Sequence, residues 1–176
     1  MSHLTHPFSR SPRTNTAWFC AGPASSYPNV DDSTRVGDQH ACQGKYLPGC
    51  RVFHVPRTAG AKATEVAIDE WKETGAGSTR EQVMVFRYKG GFVAVDHECP
   101  HSSYPLSNGT PFDIEDFGVV LSLGITCPKH GWSFDLHTGR ADRGSYRLNV
   151  WDVEQRASPT AQGELEVWIR RKQKIG

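Results

Sequence analysis

The chain has 176 residues, 37% of them hydrophobic, which suits one domain with an extension and a core of ordinary size. Its 20 Lys and Arg against 19 Asp and Glu leave a formal net charge of +1, which argues against a nucleic-acid or anionic-membrane surface as its main partner. No apolar run approaches the ~18 residues of a membrane span and no hydrophobic signal-peptide core stands at the N-terminus, so a soluble, cytoplasmic protein is expected.

Residues 1–48 are rich in Ser, Thr and Pro, and Pro7, Pro12, Pro23, Pro28 and Pro48 interrupt any periodic pattern. A mobile or loosely draped extension is expected, pinned by Trp18, Phe19 and Tyr27. Arg10 and Arg13 without an acid in the first thirty residues invite a mitochondrial-transit reading, which the prolines and the lack of an amphipathic stripe weaken. The domain proper is expected over 49–172, with a basic tail at 173–176. Its first strand is expected at Arg51 to Val55, and a short helix around Ala67 to Thr74, limited by the glycines that follow. Gln82 to Tyr88 and Phe92 to Val95 alternate as a hairpin closed by Lys89-Gly90-Gly91, so that Val93 and Val95 anchor the backbone running on to Cys99.

The stretch His97-Glu98-Cys99-Pro100-His101 formally satisfies the H-E-x-x-H pattern of zinc metalloproteases. That motif needs a helix to bring both imidazoles to one face, and Pro100 would break the helix. His97 is therefore expected to face solvent, and His40, His54 and His137 to be satisfied polar residues rather than ligands. Residues 102–126 include turn formers, acids and aromatics at Thr110 to Gly118, followed by Val119 to Leu123, which has the apolar look of a buried strand. After Cys127-Pro128-Lys129-His130, a closing pair of strands is expected at Leu148 to Val153 and Glu164 to Ile169. The elements add up to an all-β fold.

Cys99 with His101, and Cys127 with His130, each offer one thiolate and one imidazole from a short loop. Such a set can hold a [2Fe–2S] cluster with both thiolates on one iron and both imidazoles on the other. Structural zinc usually takes C-x2–4-C with a distant H-x3–5-H, whereas each pair here is mixed; zinc and an unliganded role for the four residues are the alternatives. Cys20, Cys42 and Cys50 lie outside the two loops, and a Cys42–Cys50 disulfide is not expected in a reducing compartment.

The flanking residues resemble those of Rieske ferredoxins and oxygenase Rieske domains. In that family the first loop reads C-x-H followed by P-L and a glycine, matched by Pro105, Leu106 and Gly109. The second reads C-x2-H-G-W-x-F-D, matched by Gly131, Trp132, Phe134 and Asp135. The resemblance covers roughly residues 50 to 172 and implies small antiparallel sheets with a cluster-binding subdomain at one tip. It implies one [2Fe–2S] cluster per chain, held by Cys99, His101, Cys127 and His130. Trp132 and Phe134 read either as a conduit for electrons or, more simply, as packing over the cluster that holds water away, and Asp135 is expected to cap or brace the second loop. The long 102–126 stretch resembles that of stand-alone eukaryotic Rieske-domain proteins.

Two departures separate the chain from the high-potential Rieske proteins of quinol-oxidising complexes. Their inter-loop disulfide is replaced by Tyr104 and Lys129, and their serine donor after His-Gly by Trp132. The expectation is a midpoint at the low end of the family's range of about −150 to +300 mV, falling as pH rises in the alkaline range. No segment is read for the mononuclear iron of an oxygenase, with its two histidines and a carboxylate. The expected function is a one-electron carrier between a donor reductase and an acceptor such as an oxygenase. A redox- or iron-sensing regulatory subunit and the Rieske subunit of a split oxygenase are the alternatives.

Overall fold

A computed structural model describes residues 14–72 and 79–173, and the first thirteen residues and most of the basic tail lie outside it. The central strand is buried on both faces. β7 (Gln82–Tyr88) turns Met84, Phe86 and Tyr88 to one core and Val83 and Val85 to another, so its sequence reads as a near-continuous apolar run. It pairs antiparallel with β5 (Cys50–His54) along Gln82–Phe86 and with β8 (Gly91–Asp96) along Val83–Tyr88. The short β2 (Asn29–Val30) runs parallel to Arg87–Tyr88, and β6 (Thr64–Glu65) extends the sheet beyond β5.

On one face lies a three-stranded sheet in the order β1 (Phe19–Pro23), β13 (Leu165–Arg170), β12 (Asp152–Ala157). Its Ala21, Val167 and Ile169 join Phe53, Val83, Val85 and Trp151 in one core. On the other face a second three-stranded sheet runs in the order β11 (Ser133–Asp135), β10 (Val119–Thr126), β9 (Thr110–Asp116). Here Ile125, Phe134 and Leu136 meet Val52, Met84, Phe86 and Val95, and Cys99 and Cys127 belong to the same core. The hairpin of β3 (Gln39–Cys42) and β4 (Lys45–Pro48) and the single helix α1 (Ile68–Lys72), which buries Trp71, complete the described fold. The all-β expectation is borne out, and no helix among the described residues is long and apolar enough to cross a membrane.

Four local expectations are corrected. Residues 14–48, expected to be mobile or loosely draped, are integrated: β1 pairs with β13, Val30 and Val36 are fully buried, and the buried Tyr27 hydroxyl donates to the Ala21 carbonyl at 2.7 Å. Pro23 and Pro48 end strands instead of interrupting them. The closing hairpin begins at Asp152, because residues 149–151 cross β8, with the Trp151 amide donating to the Ala94 carbonyl at 2.8 Å. Val119, Val120 and Leu121 are exposed, since the outer half of β10 pairs only with β9 and no layer covers it. His97 is fully buried, bonded through its two ring nitrogens to Gln82 Oε1 and Ser107 Oγ, each at 2.9 Å. Burial brings its imidazole down to about 4, so it stands neutral beneath the first loop.

Candidate metal centre

The hairpin β7–β8 delivers the chain to Cys99, and β10 delivers it to Cys127. The pairing of Thr126 with Thr110 sets the second loop beside the residues that follow the first. The two loops close in the same way. The Cys99 amide donates to the Tyr104 carbonyl at 2.9 Å and the Ser103 amide to the Cys99 carbonyl at 2.8 Å; the Cys127 amide donates to Trp132 at 2.8 Å and Gly131 to Cys127 at 3.0 Å. The fifth residue of each turn is left-handed, Ser103 at φ +55° and Gly131 at φ +71°. Glycine suits that position because it has no Cβ to strain there.

The structure brings the expected residues together in two pairs, Cys99 with Cys127 and His101 with His130. Cys99 and Cys127 are free thiols, 0% and 1% exposed, facing each other at the edge of the apolar core. The Cys127 thiol donates to the Cys99 sulfur; with the Ser102 hydroxyl and the amides of Ser102 and His101 this outweighs burial and brings Cys99 down to about 5. Cys127, which keeps the shared proton and is also buried, is pushed up. The imidazoles of His101 and His130 meet edge to face with centroids 5.0 Å apart. His130 is exposed, whereas His101 is half-buried and its Nδ1 is a buried polar atom without a hydrogen-bond partner.

These residues fit a two-iron cluster. Among the described residues no three His, Cys, Asp or Glu side chains gather as they would around one metal ion. The donors pair off instead, sulfur with sulfur and ring with ring, and the buried, orphaned Nδ1 of His101 costs stability unless it is liganded.

A third segment closes over the first loop. Trp132 stacks on the His101 ring at 4.3 Å and 15°, and Tyr146 meets the edges of both, at 5.2 Å from His101 and 5.1 Å from Trp132. Arg143 lies over Trp132 at 5.4 Å and donates to the Gly131 carbonyl at 2.9 Å. Lys129 lies over Tyr104 at 5.8 Å, so the two positions expected to lack a disulfide still make a contact between the loops. Ser102 Oγ is 3.8 Å from the Cys127 sulfur. Ser102, Arg143 and Tyr146 escaped sequence reasoning, since no motif or periodicity marks them. Asp135 braces a different turn from the one expected, accepting from the amides of His137 and Thr138 at 2.7 and 2.9 Å. Phe134 is buried in the core beneath.

Comparison with known proteins agrees with this geometry. The family model of the Rieske [2Fe-2S] domain matches residues 52–151, more than half of the chain. The chain belongs to that family. The cofactor of this Rieske domain is accordingly a [2Fe–2S] cluster. It is 34% identical over 74 residues to the methanesulfonate monooxygenase ferredoxin subunit of Methylosulfonomonas methylovora, covering 42% of this chain and 52% of that one. It is also 34% identical over 76 residues to the 3-phenylpropionate/cinnamic acid dioxygenase ferredoxin subunit of Photorhabdus laumondii, covering 42% and 65%. In both cases the match spans less than two thirds of the relative. Among solved structures it is similar to a Mycobacterium tuberculosis nitrite reductase small subunit, with a TM-score of 0.48, 15% identity, and coverage of 90% of this chain and 98% of that one.

Proposed function

We propose that this Rieske domain is a one-electron carrier, in which Cys99 and Cys127 supply both thiolates to one iron and His101 and His130 both imidazoles to the other. The observation that carries the reading is the convergence of two buried, unbridged thiols and two facing imidazoles at the tip of the second sheet. The cluster supplies a single reversible electron. The protein supplies the rest. The apolar core and the Trp132 and Tyr146 rings hold water from the sulfurs and from His101, while the exposed edge of His130 gives the shortest way to solvent and to a docked protein.

The ferredoxin-subunit relatives, components of a monooxygenase and a dioxygenase, favour carriage over sensing with an oxygenase as acceptor, and a reductase is the donor such a carrier needs. A midpoint toward the low end of the family's range fits Trp132, which has no hydroxyl to offer the cluster. A reducing compartment such as the cytoplasm suits the exposed Cys20 thiol.

The test is anaerobic purification followed by iron and acid-labile sulfide assay and EPR after dithionite reduction. Two irons and two sulfides per chain, with a rhombic signal lost on changing His101 or His130, are expected. Stoichiometric zinc without a signal would overturn the cluster assignment. Carriage is then tested by stopped-flow reduction with a flavin reductase, where failure to exchange electrons within a second would turn the reading toward sensing.

A further inference from the structure

The two cluster loops can be superposed through their shared hydrogen bonds: Cys99 matches Cys127, Ser103 matches Gly131 and Tyr104 matches Trp132. In that alignment His101 falls on Lys129, and Ser102 falls on His130. The position that aims a ligand into the centre in the second loop therefore carries a hydroxyl in the first. Ser102 Oγ reaches the Cys127 sulfur at 3.8 Å, within range for a bond to sulfur. It is partly shielded from water, so a bond made there is not simply exchanged for one to solvent.

We infer that the Ser102 hydroxyl is a positioning group that donates to the Cys127 sulfur of the cluster and raises its midpoint potential. The inference rests on the ligand assignment proposed above. Reduction adds negative charge that spreads onto the sulfurs, and a donor aimed at them stabilises the reduced form more than the oxidised form. The donor that high-potential Rieske proteins place after His-Gly is Trp132 here, and this chain supplies a hydroxyl from the opposite loop instead. The midpoint then lies above the value that the loss at Trp132 alone would give.

The experiment is a redox titration of wild type, Ser102→Ala and Ser102→Thr, each followed by EPR and iron assay on the full chain. Ser102→Ala is expected to shift the reduction equilibrium about tenfold toward the oxidised form, 59 mV lower for a one-electron couple, with iron content and g-values retained. Ser102→Thr, which keeps the hydroxyl, is expected to return most of the shift. An unchanged midpoint in Ser102→Ala, or an equal fall in both variants, overturns the inference and leaves the cluster assignment standing. A wild type without a rhombic signal fails that assignment itself. Should Ser102→Ala not assemble, pulsed EPR of reduced wild type after brief transfer to D2O decides: a rapidly exchanging deuteron coupled to the cluster supports the hydroxyl donor, and only slowly exchanging amide deuterons overturn it.

Discussion

The two ligand loops share one backbone plan and differ in what they expose. Both fold back through the same pair of hydrogen bonds and both place their fifth residue left-handed. The first lies under Trp132 and Tyr146, with His101 half-buried, while the second presents Pro128, Lys129, His130 and Gly131 to solvent. Backbone hydrogen bonding thus sets the positions of the four donors, and side chains from outside the turns decide which imidazole is shielded. For the proposed carrier that division would let one ring fix the cluster against the core and leave the other open to a partner.

Removing either thiol breaks the plan at its root. Cys99→Ala and Cys127→Ala are each expected to bring iron and sulfide to background and abolish the EPR signal, whereas Cys42→Ala, whose thiol donates to the Ser25 carbonyl at 3.3 Å, keeps both. An intact signal in Cys127→Ala would show that the donors do not act as the proposed set. A smaller change asks whether the shared left-handed residue matters equally in both loops. Gly131→Ala meets nothing within 4 Å of its new Cβ, so its cost is backbone strain alone, about 1–2 kcal/mol. That lowers the melting temperature of the holoprotein by roughly 2–4 °C per kcal/mol. Ser103→Gly relieves strain already present and gives some of it back through the unfolded chain, for a net change under about 1 kcal/mol. Equal losses in the two variants would contradict the common turn.

Asp135 offers a gentler probe of the turn after the second loop. Partial burial raises its carboxyl, but the amides of Thr138 and His137 outweigh this and hold it below the usual carboxylate range. A depressed carboxylate contributes stability above its unfolded value of about 3.9 that is lost as pH falls through the lower folded value. Acid unfolding curves of wild type and Asp135→Asn should therefore converge below about pH 4, with wild type the more stable at neutral pH. Parallel curves would mean that the carboxylate does not hold the turn.

Most short-range features with a clear apolar pattern were legible in the sequence, and contacts between distant segments were not. Lys89-Gly90-Gly91 between alternating runs gave the β7–β8 hairpin, and the Cys-Pro-His and Cys-Pro-Lys-His runs gave the two turns that carry the proposed donors. The polar, proline-rich stretch before residue 48 hid β1 and β2 because their partners, β13 and the end of β7, lie far along the chain, and hid the local β3–β4 hairpin because its strands lack an apolar alternation. His97 looked like a surface residue because its partners Gln82 and Ser107 come from another strand and another loop. Tyr146 and Arg143 reach Trp132 across a turn with no periodicity to betray it.

The long hairpin between the loops carries the same contrast within one element. At its base Pro111, Gly124 and Ile125 are buried, while at its tip Phe117 is 100% exposed and Val119 and Leu121 stand open beside Glu115 and Asp116. Apolar residues there do nothing for the core, so the tip should be separable from the centre it leads to. Phe117→Ser and Leu121→Ser are each expected to change stability by less than about 0.5 kcal/mol and to leave the EPR signal and midpoint as they are. A loss above about 1 kcal/mol would mean that these side chains are covered in solution, and would tie the tip to the fold after all.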